Sequence, residues 1–149
     1  MSDLVTVILA AGKGTRMKSA LPKVLHKAGG KPMVQHVIDA AKEAGAKRNI
    51  VVVGFGAELV QEAVGNQAEV VVQAEQLGTG HAVLQAEPLL NNEHGTVMVL
   101  CGDTPLLTGA LVKKLYDAHR NAGAKATVLT AVMPDATGYG RIIRTPEGT

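Results

Sequence analysis

Apolar positions along the chain fall into short continuous runs, separated by segments in which they recur every three or four residues. Val5, Val7, Ile8 and Leu9 make a β-branched and aliphatic run that reads as a buried strand. Pro32 at a first helical position, with Met33, Val34, Val37, Ile38, Ala41 and Ala44 on one face, predicts a helix that stops at Gly45. A second strand follows over Asn49 to Val53, then a helix over Ala57 to Val64 with Leu59, Val60, Ala63 and Val64 apolar, then a third strand over Glu69 to Gln73. Gly78, Thr79 and Gly80 open a helix through Ala86, Thr96 to Leu100 is a fourth strand, and Thr108 caps a helix reaching about His119. Ala126 to Ala131 is predicted as a fifth strand and Arg141 to Arg144 as a further one, with a turn signalled at Pro146, Glu147 and Gly148. Residues 21–32, interrupted by Pro22, Gly29, Gly30 and Pro32, read as irregular chain.

Strand and helix alternate with short connections, the pattern of an α/β domain with a doubly wound, mainly parallel sheet and helices on both faces. If the strand order reverses beside the first strand, the first and fourth strands become neighbours and their carboxyl-end loops converge on one crevice. The first of those loops is LAAGKGTRM, Leu9 to Met17. Gly12 and Gly14 let backbone N–H groups approach an anion, and Lys13 and Arg16 add charge. This is neither known glycine fingerprint, because Met17 stands where GxGxxG needs a third glycine and Val7 stands where the Walker pattern needs its first. The loop after the fourth strand carries Asp103, a carboxylate that either caps backbone N–H groups around Thr104 and Pro105 or binds a cation. Gln73 to Thr79 supplies a third loop at the same end of the sheet.

Charge sharpens this picture. The net charge is only +2, yet no Asp or Glu lies between Leu4 and Ile38, a segment holding Lys13, Arg16, Lys18, Lys23, Lys27 and Lys31. Those six read as an uncompensated basic patch for a polyanion, with the rest of the chain net acidic. One Phe, two Tyr and no Trp leave no stacking platform for single-stranded nucleic acid, so a small phosphorylated ligand fits better than nucleic acid. At 149 residues and 46% hydrophobic content the chain suits one domain with a real core. Without an eighteen-residue apolar run or a cleavable leader, the expectation is no membrane partner and a cytoplasmic location. Cys101, the single cysteine, reads as a core thiol, and the five His show no zinc spacing and read as surface or core.

Four ordered motifs, LAAGKGTRM with Pro22 and Lys23, QAEQLGTGHA, GDTPLL and TGYGRI, resemble those of the sugar-1-phosphate nucleotidyltransferases. Within these the chain is most similar to the uridyltransferase domains of bacterial enzymes that combine N-acetylglucosamine-1-phosphate uridyltransferase and glucosamine-1-phosphate acetyltransferase activities. The resemblance covers the whole chain and implies the Rossmann-like nucleotide-diphospho-sugar transferase fold. It implies uridylyl transfer from UTP to N-acetylglucosamine-1-phosphate, giving UDP-N-acetylglucosamine and pyrophosphate for cell-envelope precursors.

Residue by residue, the resemblance implies that Leu9, Ala10, Ala11 and Gly12 touch the nucleotide through the backbone, Arg16 the leaving pyrophosphate and Lys23 the reacting phosphates. It implies that Gln73, Gly78 and Thr79 read uracil, that Cys101 and Gly102 lie beside the nucleotide, that Asp103 binds Mg²⁺, and that Gly140 meets the sugar. It further implies that residues 1–149 are the N-terminal part of a truncated nucleotidyltransferase domain. The remaining sugar contacts, a second metal ligand and a left-handed β-helix acetyltransferase domain would lie beyond Thr149, in a homotrimeric parent. Two other readings stand beside it. One is a catalytically incomplete module that binds a nucleotide or sugar nucleotide; the other is a Rossmann oxidoreductase, disfavoured by Met17 and by Gly54, Phe55 and Gly56 where an acid should end the second strand.

Overall fold

The computed structural model describes residues 3–91 and 94–146. Four parallel strands, β1 (Leu4–Ala10), β4 (Arg48–Val53), β5 (Glu69–Val72) and β6 (Thr96–Cys101), form one sheet in the order β5-β4-β1-β6. The chain steps outward from β1 through β4 to β5 and then returns to the other side of β1 with β6. The reversal therefore lies between β1 and β6, and their carboxyl-end loops are brought together as the alternating pattern predicts. Both faces of the sheet are covered, which is why its inner strands are continuously apolar. Leu4, Ile8, Val51, Val53, Met98 and Leu100 point to the face carrying α1 (Met33–Glu43), α2 (Ala57–Val64) and α5 (Gly109–Ala122). Val5, Val7, Ile50 and Val52 point to the other, against Ala82 of α3 (Thr79–Leu84) and Leu89 and Leu90 of α4 (Glu87–Leu90). Among the described residues no helix is long and apolar enough to cross a membrane.

Thr6, wholly buried on β1, donates its hydroxyl to Asn49 Oδ1 of β4 at 2.6 Å, directly across the ladder. That pairing satisfies two polar groups which would otherwise be costly in the core. The start of β1 is also tied to α5: Asp3 accepts from the Tyr116 hydroxyl and, at 3.0 Å, from Arg120 Nη1. The Tyr116 hydrogen bond, with help from Arg120, holds the Asp3 carboxyl below its ordinary pKa. A depressed folded-state pKa contributes stability that is present above the unfolded value and lost as pH falls through the folded value. Tyr116→Phe is therefore expected to destabilise by about 1 kcal/mol at pH 7, with the difference shrinking below about pH 4. Urea unfolding of both proteins across that range checks it; a difference independent of pH would place the effect in packing alone.

Several expected elements differ. Residues 21–32 are ordered rather than irregular: Lys23–Leu25 makes a 3₁₀ turn, and β2 (Lys27–Ala28) pairs antiparallel with β3 (Lys31–Pro32). Gly29 and Gly30 supply the positive φ values, 57° and 83°, that a two-residue hairpin of this hand needs. Pro32, with ψ 142, is extended and precedes the first helical turn. The third predicted helix forms as α3, ending at Leu84 two residues short of Ala86, and α4 follows it as a separate short helix that the pattern does not predict; α5 runs past His119 to Ala122, with the Thr108 hydroxyl accepting from Leu111 N–H as expected.

Ala126–Ala131 and Arg141–Arg144 form no strand. Their composition suits a sheet, but a strand exists only with a ladder partner. Val128 is 70% exposed and Ile143 89%. A cavity of about 730 Å³, lined by Val97, Val99, Val128 and Leu129, separates the free edge of β6 from the first of these segments. Of the turn signalled at Pro146, Glu147 and Gly148, the last two residues lie outside the described residues.

Candidate functional site

A cavity of about 300 Å³ opens at the carboxyl ends of β1 and β6. Leu9, Ala10, Ala11 and Gly12 leave β1 along one wall, and Cys101 and Asp103 leave β6 along another. Lys23 and Val24 come from the 3₁₀ turn, and Gln73, Gln76, Gly78, Thr79 and Ala82 from the segment linking β5 to α3.

The Ala11 carbonyl gathers three of these loops. It accepts from Phe55 N–H after β4 at 3.2 Å and from Gln76 Nε2 after β5 at 2.8 Å. A Cβ on Gly54 would stand 2.5 Å from Gln76 Nε2 and 2.8 Å from the Ala11 oxygen, so the crossing needs glycine there. Gln73, 3% exposed, lies deeper, with Nε2 donating to Gly78 O at 3.1 Å and 3.0 Å from His81 Nδ1.

Lys23 Nζ meets Asp103 Oδ2 at 2.6 Å, with the two side chains 36% and 33% exposed. Asp103 thus caps no backbone among the described residues; it is Thr104 whose hydroxyl closes this turn, donating to Cys101 O at 2.7 Å. An ammonium and a carboxylate in contact at the mouth of a cavity form a site that a phosphate and a cation can split between them, each taking the partner of opposite sign.

Cys101 is exposed at the cavity wall rather than sequestered as a core thiol, because alternate β6 side chains face away from the covered side of this edge strand. Partial desolvation pushes its thiol pKa up, and Asp103 adds to that rise against the opposing effect of Lys23. A thiol with that bias is a poor nucleophile. Gly102 does not line the cavity; it is buried beneath, its N–H donating to Leu9 O at 2.9 Å. Arg16 sits on the exposed 3₁₀ turn Thr15–Met17, outside the cavity wall. Gly140 lies in the exposed stretch after α5 and does not reach the cavity.

The basic patch is also partly compensated from distant acids. Asp103 takes Lys23, and Asp39 takes Lys31 at 2.6 Å, while Lys13 lies 5.6 Å from the centre of the Phe55 ring. Sequence reading missed Gln76 and His81. The signal for Gln76 was available, a second amide three residues after Gln73 in a loop at the carboxyl end of the sheet. His81 carries no such signal, since only the fold brings its ring against Gln73.

Among the described residues no three His, Cys, Asp or Glu side chains cluster as a metal cage. Asp103 is the one acid lining the cavity among the described residues, and its Oδ1 has no hydrogen-bond partner there.

A family model described as MobA-like NTP transferase domain matches residues 6–137. The chain is 57% identical over 148 residues to proteins named bifunctional protein GlmU from Bacillus cereus strain AH187 and from Bacillus anthracis strain CDC 684. Those matches cover 99% of this chain and 32% of each relative, so the chain spans about a third of the length of the curated relatives it matches. Among solved structures, a nucleotidyl transferase from Methanothermobacter (Mth528) aligns with TM-score 0.67 at 24% identity, over 76% of this chain and 56% of that one. Rv0371c from Mycobacterium tuberculosis H37Rv aligns with TM-score 0.69 at 24% identity, over 80% and 62% of the two chains, and it has also been solved as a complex with manganese. At that identity the structures bear on the fold, which they share. The match over residues 6–137, on a parallel sheet whose reversal point carries the cavity, shows that this chain belongs to the MobA-like NTP transferase family.

Proposed function

We propose that the chain binds UTP with Mg²⁺ and carries the nucleotide half of a site that transfers a uridylyl group to N-acetylglucosamine-1-phosphate, releasing pyrophosphate and forming UDP-N-acetylglucosamine. The observation that carries this reading is the cavity at the β1/β6 reversal, with Lys23 and Asp103 at its mouth and the Gln73 amide in its wall. Backbone from Leu9 to Gly12 lies along the nucleotide, Gly78 and Thr79 flank the base, and Gln73 Oε1 accepts from the base edge. Uracil offers an N–H there, whereas cytosine offers an acceptor.

Asp103 is the residue that would hold Mg²⁺, and a single hard-oxygen carboxylate fits an ion that keeps several waters and binds substrate phosphates. When bound, the ion would supply positive charge to offset that of the reacting phosphates. No general base is required, because a sugar-phosphate oxygen is already ionised at neutral pH. That oxygen attacks the α-phosphorus in line and the pyrophosphate leaves. Lys23, released from Asp103, neutralises the reacting phosphates, and Arg16 meets the pyrophosphate from the rim. Gly140 is assigned to the sugar, although it does not line the cavity. A cytoplasmic location, a homotrimeric parent and a role in cell-envelope precursor supply belong to the same reading. A binding module without transfer is the second reading, favoured by the absence of Gly140 from the cavity lining.

Titration calorimetry of this chain with UTP and with CTP, in the presence of Mg²⁺, tests the proposal. UTP is expected to bind much more tightly, and Gln73→Ala is expected to erase about 1–3 kcal/mol of that preference, the cost of leaving a buried polar contact unmade. Equal affinity for the two nucleotides would reject the base-reading role. Pyrophosphate release by a chain extended to the length of its curated relatives separates the enzyme from the binding module.

A further inference from the structure

Gln73 is almost fully buried and yet lines the cavity, so which end of its carboxamide faces the ligand decides what it can recognise. Two groups behind it decide that orientation. Gly78 O, 3.1 Å from Nε2, can only accept, and therefore requires the nitrogen on the protein side. His81 Nδ1 stands 3.0 Å from the same nitrogen. If Nδ1 carries no proton it takes the second hydrogen of Nε2, and Oε1, which has no other partner among the described residues, is left for the cavity.

A protonated Nδ1 would set two donors against each other at a buried contact. The imidazole proton therefore belongs on Nε2. Gln85 bears on the other side of the ring, with its Nε2 3.2 Å from His81 Nε2 and 3.0 Å from His81 O. Gln85, the more exposed of the two amides, can turn its oxygen toward the Nε2–H at the cost of its bond to His81 O, an exchange that is costlier for the buried Gln73. The contact that is costlier to leave unpaired fixes the tautomer.

We propose that His81 is a positioning residue whose unprotonated Nδ1 locks the Gln73 carboxamide with its oxygen toward the ligand. The lock selects a pyrimidine bearing an N–H at ring position 3 over one bearing an acceptor there. The inference rests on the reading that Gln73 faces the base, and it assigns His81 no contact with substrate.

His81→Ala removes the acceptor, whereas His81→Asn returns one, because Asn Oδ1 stands the same number of bonds from Cβ as His Nδ1. Titration with UTP and with CTP, both with Mg²⁺, is expected to show the wild-type UTP preference reduced about five- to tenfold in His81→Ala, the fold equivalent of one ordinary hydrogen bond. His81→Asn is expected to recover most of it. An unchanged preference in His81→Ala, or an Asn variant no better than Ala, overturns the proposal. The ¹⁵N spectrum of wild-type His81 supplies a readout independent of binding: a proton on Nε2 supports the lock, and a proton on Nδ1 overturns it. If wild type binds neither nucleotide, the nucleotide reading fails while the spectrum still decides the orientation of Gln73.

Discussion

Under the proposed function, Asp103→Asn in a chain extended to the length of the curated relatives is expected to cut uridylyl transfer by about 10²-fold or more while changing folding stability by no more than about 1 kcal/mol. Asp103 follows β6, pairs with Lys23 at 2.6 Å and caps no backbone among the described residues. Both partners are about a third exposed, and ion pairs so open to solvent contribute little to stability. In the proposed function the same pair supplies the two charges that a transfer between polyanions would use. Lys23→Met should behave alike, losing turnover with little loss of fold. Pyrophosphate release and the urea midpoint, measured on the same preparations, check both variants. Unchanged turnover with a much lower midpoint would make the pair a structural clamp.

Gly95→Ala is expected to have the opposite signature, destabilising the fold by about 3 kcal/mol or more through overpacking. A Cβ on Gly95 would stand 2.0 Å from the Asp3 carbonyl oxygen and 2.9 Å from Asp3 Cβ. The obstacle is backbone and has no rotamer to escape into. Asp3 O accepts from Thr96 N–H at 3.1 Å, and the Asp3 carboxylate is held by Tyr116 and Arg120, so the segment cannot withdraw without loosening α5. Making room would part β1 from β6 at the first rung of their ladder, Leu4 against Thr96. Urea unfolding measures the cost. A variant within about 1 kcal/mol of wild type would mean that this end of the ladder parts freely.

The sheet was legible because its strands are local, continuous β-branched runs, and a strand buried on both faces needs no distant information to be recognised. Helix α5 was legible at its start for the same reason, since Thr108 lies three residues from the N–H it caps. The β2–β3 hairpin was not, because two-residue strands carry no periodicity and Gly29–Gly30 alone also describes a loop. Ala126–Ala131 and Arg141–Arg144 failed in the other direction. Their composition is that of strands, but composition cannot supply the neighbouring ladder.

Of the site, Leu9 to Gly12, Lys23, Gln73, Gly78, Thr79, Cys101 and Asp103 are legible as motifs, and the fold gathers them around one cavity. Arg16, Gly102 and Gly140 were marked by the same resemblance and do not line it. What no stretch of sequence carries is the pairing across distance: Lys23 with Asp103, 80 residues apart, and Gln76 with Ala11, 65 apart. The alternation of strands and helices and the identity of the chemical groups are readable along the chain, because propensity and side-chain type are local. That Asp103 is paired rather than capping, that Cys101 faces the cavity and that His81 backs Gln73 emerges with the fold, because hydrogen bonds and ion pairs depend on where the reversal of the sheet sets each loop.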